Sequence, residues 1–202
     1  RYMSGTVDKC IQFFAVKRDQ FLLECFSDSN YGGDDHVQGK STSGCIIYLG
    51  GGPVYWSSNL QHVIAQSSWE AELIGAFDCC TVVISLRQFL EDTGFVHSGA
   101  TVIWEDNTAA IAMSKNPVNY KRHRHLLLKY HFMAHLHDSQ QVKLEYRCTA
   151  DQIADIFTKP LPAKDFIKFS KFLIHDLPWS LSSSLLSVVR SEGGCLVYHF
   201  IP

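Results

Sequence analysis

The sequence is short of several features that would assign it to a functional class at once. It has 202 residues, a formal net charge of only −2, no Cys-x-x-Cys pair and no secretory signal at its start. The small net charge argues mildly against a nucleic-acid binder that is basic throughout, although one local basic cluster would suffice. The missing cysteine pairs argue against a common zinc site, and we expect no apolar run to span a membrane.

Cys79 and Cys80 are adjacent on a predicted helix, a spacing that suits neither a common zinc site nor an easy disulfide. The seven cysteines are therefore interpreted as buried, reduced thiols in a reducing compartment. The chain begins with Arg1 rather than methionine, so we expect a fragment or processed product of a longer protein. Its length allows one domain with a sizeable core plus an appendage.

A hairpin followed by a long helix is predicted in the first half of the chain. Residues 45–49 and 54–57 have strand-forming patterns and are separated by a Gly/Pro-rich turn. Ser67 or Ser68 caps a helix that runs to about Leu90.

The rest of the pattern predicts strands interleaved with helices, which indicates a mixed α/β sheet with helices on its faces. The further predicted strands are residues 11–16, 21–27, 100–105 and 142–146, and the further predicted helices are residues 108–113, 121–137, 150–157 and 163–173.

Four acids are candidates for one site. Asp28 and Asp106 are expected at strand ends, Glu72 near the start of the long helix and Asp155 in a short apolar helix. Carboxylates at strand and helix ends can converge on one metal ion. Taken singly, Asp28 is a turn former, Asp106 a helix cap and Asp155 a solvated helix position.

Several segments together resemble the ribonuclease H domain of copia-type LTR-retrotransposon Pol polyproteins. Their order and spacing match from about Arg1 to about Leu173, and this agreement in register favours the joint interpretation of the acids. The segments are residues 27–34, 40–44, 49–53, 56–58, 67–72, 106–110, 116–118, 130–132 and 154–161.

The resemblance implies an RNase H-like fold, a five-stranded mixed β-sheet flanked by α-helices. It implies an endoribonuclease that hydrolyses the RNA strand of RNA–DNA hybrids, with Asp28, Glu72, Asp106 and Asp155 as catalytic residues and metal ligands. Magnesium, or manganese in its place, would be the cofactor, and hard carboxylate oxygens suit such ions. The implied partners are the hybrid and the reverse transcriptase domain of the same polyprotein, with no membrane. The implied location is intracellular: cytoplasm, virus-like particle or nucleus.

The resemblance also divides the chain. Residues 1–20 are expected to be a connector or strand from the preceding polymerase region, and residues 21–162 the RNase H-like domain. Residues 163–178 are expected to form a C-terminal helix, and residues 179–202 are an unassigned tail.

Glu70 and Glu72 compete for one role, because two residues lie about 200° apart on a helix and cannot both face one site. The helix is apolar nearly all round, so periodicity does not choose between them. The family pattern favours Glu72, which leaves Glu70 as a first-turn acid that the helix dipole stabilises.

The basic cluster at residues 121–125 is interpreted as a contact for nucleic-acid phosphates, with a solvated helix start as the alternative. For the turn at residues 40–43, a phosphate contact and a solvated surface are equally good interpretations. The candidate nucleic-acid-binding residues are Lys40, Ser41, Thr42, Ser43, Asn107, Arg122, Arg124 and His125.

Some positions depart from the family pattern. Leu127 stands where the family has an acid, and Ala134 where it has an arginine. The alternative function is therefore a decayed or domesticated domain that binds nucleic acid or protein without catalysis. An integrase is disfavoured, because its acids come in the order Asp, Asp, Glu.

Overall fold

The computed structural model describes residues 6–13, 22–33, 39–95, 99–115 and 126–176. Backbone contacts divide the chain into two units: residues 13–173, and residues 1–12 together with 174–202. In the second unit, strands β1 (Lys9–Cys10) and β7 (His175–Asp176) pair antiparallel, and Lys9 forms an ion pair with Asp176.

The first unit contains a five-stranded mixed sheet with the strand order β4-β3-β2-β5-β6. Strands β2, β3 and β4 pair antiparallel in sequence, whereas β5 and β6 are added parallel to β2. This architecture confirms the predicted fold class. The strands are β2 (Leu23–Asn30), β3 (Thr42–Leu49), β4 (Gly52–Leu60), β5 (Thr101–Glu105) and β6 (Val142–Tyr146).

Helices cover both faces of this sheet. Helix α1 (Ser68–Asp92) packs against β2, β3 and β5, and α2 (Thr108–Lys115) and α3 (Leu127–Asp138) lie on α1 and β6. Against the other face pack the 3₁₀ turn Ile153–Phe157 and helix α4 (Ala163–Leu173), and a shorter 3₁₀ turn, Thr149–Asp151, precedes them without a buried residue.

Helix α1 is the central core helix. Ser67, one of the two predicted caps, is its N-cap, and the side chain of Ser67 accepts a hydrogen bond from the Glu70 backbone N–H. By length and composition α1 could cross a bilayer, which corrects the expectation that no run was long enough. Instead Leu73 and Val83 are fully buried in the core of the first unit.

Three predicted strands or helices are corrected. The strand placed at 21–27 is Leu23–Asn30, so Asp28 lies inside a strand rather than after its end. The helix predicted at 150–157 is two 3₁₀ turns, separated at Gln152. Residues 11–13 are not in a strand, and the rest of that prediction lies outside the described residues.

Helix α3 turns only part of its apolar surface to the core. Leu128, in its first turn, is 84% exposed. The buried side chains of α3 are Tyr130, Met133 and Leu136. Residues 121–125, the start of the helix predicted at 121–137, lie outside the described residues.

Candidate metal and active site

Asp28 lies on the central strand β2 and is almost fully buried, with 2% of its surface exposed. Alternation along β2 places Asp28 on the same face as Phe26, which packs against the segment with the 3₁₀ turns. Thr158 donates a hydrogen bond to Asp28 Oδ2. The 3₁₀ segment therefore contacts the Asp28 carboxylate directly.

Gly44 allows this contact, because it is the β3 partner of Asp28 in the ladder. A Cβ atom at position 44 would lie 2.6 Å from Thr158 Cγ2 and 2.9 Å from Phe157 Cβ. Glycine is needed here for close approach rather than for an unusual backbone angle. The 3₁₀ segment packs against β3 because this position carries no side chain.

Glu72 lies near the start of α1. The Gln61 amide donates to Ser43 Oγ and to the Ala71 carbonyl, both at 2.8 Å, and so joins β3 to the start of α1. At Gly75 a Cβ atom would lie 2.4 Å from Ser29 Oγ, so α1 approaches β2 closely one turn after Glu72. These contacts place Glu72 against the end of the strand that carries Asp28.

Glu70 and Glu72 lie in different surroundings. Glu70 is fully buried, and its Oε2 accepts a 2.6 Å hydrogen bond from the Gln66 backbone N–H. It therefore binds the backbone of the residue before the N-cap Ser67, one position earlier than a capping-box acid does. Glu72 instead faces the other acids.

Asp106 follows β5 directly. In the parallel β2–β5 ladder Phe26 lies beside Trp104, so the same register extended by two residues brings Asp28 level with Asp106. Thr149 Oγ1 donates a 2.6 Å hydrogen bond to Asp106 Oδ2. The helix cap expected of Asp106 is supplied by Asn107, whose Oδ1 accepts from the first-turn amides of α2.

Asp28, Glu72 and Asp106 form one carboxylate cluster. One oxygen from each lies within 4.8 Å of the others. Glu72 Oε2 is buried and has no hydrogen-bond partner among the residues described. A buried oxygen left without a donor costs free energy, and a divalent cation would satisfy it. The donor set therefore fits magnesium or manganese.

Asp155 lies next to this cluster rather than within it. Its Oδ1 is 3.0 Å from Lys159 Nζ, which also lies 3.9 Å from Asp28 Oδ2. Burial, then the charge of Asp28, raises the pKa of Asp155 to about 7, against the pull of Lys159. Three of the four predicted acids thus converge closely, and the fourth joins them through Asp28.

The electrostatics of the cluster are those of crowded, buried carboxylates. Burial, followed by the charges of Glu105, Asp28 and Asp106, raises the pKa of Glu72 to about 11. Burial also raises the pKa of Asp28, whereas Thr158 and Lys159 oppose that shift. A cation in this cluster would relieve the repulsion.

Sequence reasoning missed Glu105, which is fully buried beside the cluster. Its Oε1 accepts from the Asn107 backbone N–H at 3.1 Å, and its Oε2 has no hydrogen-bond partner in the described part of the chain. Burial raises the pKa of Glu105 well above its ordinary value. The available signal was an acid at the inward-facing end of β5, in phase with buried Ile103.

Sequence reasoning also missed Gln152. This fully buried side chain donates to the Ser27 carbonyl at 2.9 Å and to the Trp104 carbonyl at 3.2 Å. It ties β2 to β5 just before Asp28 and Asp106, from the segment that carries Asp155. A polar residue amid the apolar residues of the predicted helix at 150–157 was the signal that could have found it.

The structure supports the predicted nucleic-acid contacts unevenly. Ser41 and Ser43 are buried, and both hydroxyls hydrogen-bond within the protein, so a phosphate contact by either side chain is not supported. Asn107 Oδ1 serves as the helix cap. Lys40 and Thr42 are partly exposed, and Arg122, Arg124 and His125 lie outside the described residues.

The chain is similar to retrovirus-related Pol polyproteins from transposons. The chain is 36% identical over 173 residues to the retrovirus-related Pol polyprotein from transposon RE2 of Arabidopsis thaliana, a match to 85% of this chain and 12% of the polyprotein. It is 31% identical over 166 residues to the retrovirus-related Pol polyprotein from transposon TNT 1-94 of Nicotiana tabacum, covering 82% of this chain and 12% of the polyprotein. The chain thus spans a small part of the curated relatives that it matches. No protein-family model matches it.

Solved structures similar to this chain include two ribonucleases H1. LC11-RNase H1 in complex with an RNA/DNA hybrid is 13% identical, with a TM-score of 0.49, and the match covers 67% of this chain and 93% of that one. RNase H1 from the halophilic archaeon Halobacterium salinarum NRC-1 is 15% identical, with a TM-score of 0.43 and the same coverage.

Proposed function

Because the chain is homologous to one segment of retrovirus-related Pol polyproteins from transposons, we propose that it is a metal-dependent ribonuclease H that cuts the RNA strand of RNA–DNA hybrids during reverse transcription. The observation that carries this proposal is the convergence of Asp28, Glu72 and Asp106 within 4.8 Å. The resemblance implied these three acids, together with Asp155, as metal ligands and catalytic residues.

The three acids would hold a magnesium or manganese ion. When bound, such an ion neutralises charge on a scissile phosphate and makes water a better nucleophile. Thr149 fixes the Asp106 carboxylate through one oxygen, and Thr158 fixes Asp28. The hydroxyl groups of Thr149 and Thr158 thus orient two of the carboxylates before an ion binds, and such hydrogen bonds to metal ligands raise metal affinity.

The substrate and the partners are inferred from the homology to the Pol polyproteins. The hybrid would lie across the edge of the sheet where β2 and β5 end. Arg122, Arg124 and His125 would add phosphate contacts. The reverse transcriptase domain of the same polyprotein would be the covalent neighbour.

The test is a cleavage assay on an RNA–DNA hybrid, with magnesium and then with chelator. We expect cleavage of the RNA strand only with the metal, and none of a DNA duplex of the same sequence. Asp106→Asn should abolish cleavage while the protein stays folded, because the amide oxygen can still accept from Thr149. Equal cleavage by Asp106→Asn and the parent would show that the site is misassigned. Metal-independent binding of the hybrid without cleavage would favour a non-catalytic binding module.

A further inference from the structure

The segment after the second 3₁₀ turn places a lysine inside the acidic site. Lys159 Nζ lies 3.0 Å from Asp155 Oδ1 and 3.9 Å from Asp28 Oδ2. The two carboxylate side chains are only 6% and 3% exposed, whereas that of Lys159 is 34% exposed. The ammonium therefore reaches from the surface to a position between two buried acids.

The Lys159 ammonium lies near one residue of the carboxylate cluster, Asp28. Asp28 belongs to the cluster with Glu72 and Asp106, and it is also one of the two acids that Lys159 approaches. Asp155 is not within the 4.8 Å group formed by the described residues. A second ion held between Asp155 and Asp28 would take the position that the Lys159 ammonium occupies.

We propose that Lys159 is a built-in cation that takes the place of a second divalent ion, so that the site of this chain binds one ion, at Asp28, Glu72 and Asp106. This inference rests on the proposed function in assuming that the cluster binds metal. A lysine ammonium is fully charged at neutral pH when it has acidic partners. It also offers three N–H donors to carboxylate oxygens, so it can neutralise the Asp28–Asp155 pair without an ion. A second ion could enter only by displacing it.

One divalent ion plus one ammonium leaves the four acids with less positive charge than two ions would supply. The chain then binds one ion tightly and a second only at much higher concentration. Removing the ammonium should open the second position.

Manganese binding in the absence of nucleic acid tests this directly, with free Mn²⁺ measured by its electron paramagnetic resonance signal. We expect one tightly bound Mn²⁺ per parent chain and two per chain in Lys159→Met, a side chain of similar length without charge. Lys168→Met is the matched control. Lys168 pairs with Asp151 at 2.8 Å on the surface, so this variant should still bind one ion.

Two tight ions in the parent, or one in a folded Lys159→Met variant, would overturn the inference. If Lys159→Met does not fold, Lys159→Gln and the stoichiometry of the parent decide it. Absence of Mn²⁺ binding to the parent would overturn both the inference and the proposed metal site. If the parent binds two ions tightly and still cleaves the hybrid, only the role of Lys159 is overturned, and the proposed function stands.

Discussion

Asp28 and Gly44 face each other across the β2–β3 ladder, and the missing side chain at position 44 admits the turn that hydrogen-bonds Asp28. Two consecutive motifs of the sequence thus meet at one point: the acid on the central strand, and the glycine that lets a distant segment reach that acid. Both the stability of the 3₁₀ segment and the geometry of the site depend on this approach.

Gly44→Ala should therefore weaken both stability and activity. The new methyl group would lie 2.6 Å from Thr158 Cγ2 and 3.0 Å from the Ala154 carbonyl oxygen, so the turn must move. Overpacking of this kind costs about 1 to 3 kcal/mol. Urea unfolding and hybrid cleavage measure the two effects. Thr158→Ser removes the closest methyl group but keeps the hydroxyl, so the double variant should recover part of the loss. Unchanged stability in Gly44→Ala would show that the segment does not pack tightly here.

Glu72→Gln should cost far more activity than Glu70→Gln. Glu72 faces the carboxylate cluster, whereas Glu70 accepts from the Gln66 backbone, a bond that a glutamine oxygen can also accept. We expect the Glu72→Gln loss to exceed the roughly 10- to 100-fold cost of removing an outer-shell partner. Cleavage rates at saturating magnesium make the comparison, and equal losses in the two variants would contradict the assignment of Glu72.

Gln152→Leu should destabilise the protein and lower its activity. The change leaves the Ser27 and Trp104 carbonyls without their side-chain donor at the point where β2 and β5 lead into the site. An unsatisfied buried acceptor costs about 1 to 3 kcal/mol. Urea unfolding measures this loss, and Gln88→Leu is the control, because Gln88 bonds Asp92 on the exposed side of α1. Similar small effects in both variants would argue against a positioning role for Gln152.

The stability of the metal-free protein should fall as pH rises through the acidic and neutral range. Asp155 binds its proton more tightly when folded, with a pKa of about 7 against an ordinary 3.8. The stabilisation from this group is fully present below pH 3.8 and is lost by about pH 7. The raised pKa of Glu72 continues the loss at higher pH.

Thermal melts with chelator at several pH values measure this slope. Asp155→Asn should flatten it below neutral pH, whereas Asp138→Asn, at the exposed end of α3, should not. Magnesium should restore the lost stability near neutral pH, by RT ln(1 + [L]/Kd), which is about 2.7 kcal/mol at a hundredfold excess over Kd. A melting temperature that rises with pH, or one that magnesium leaves unchanged, would contradict a crowded carboxylate site.

The sequence alone was sufficient for the fold class and for much of the order of helices and strands. Helix α1 has a serine cap, an acid in its first turn and a Gly-containing end, so local chemistry determined its bounds. The hairpin of β3 and β4 was found in the same way, although both strands extend beyond their predicted limits. The short turns at 149–157 were misread as one helix, because their form depends on packing against β3 at Gly44 rather than on local pattern.

For the site, the sequence determined the set of candidate acids, because carboxylates next to apolar strands and helices can be recognised from the sequence pattern. Only the tertiary structure decided which of them share a position. Asp28 and Asp106 are brought level by the parallel register of β2 and β5, and Glu72 joins them through the close approach of α1 at Gly75. Asp155 is held at the side of the cluster with Lys159. These distances arise from contacts between residues far apart in the chain, and no local pattern encodes them.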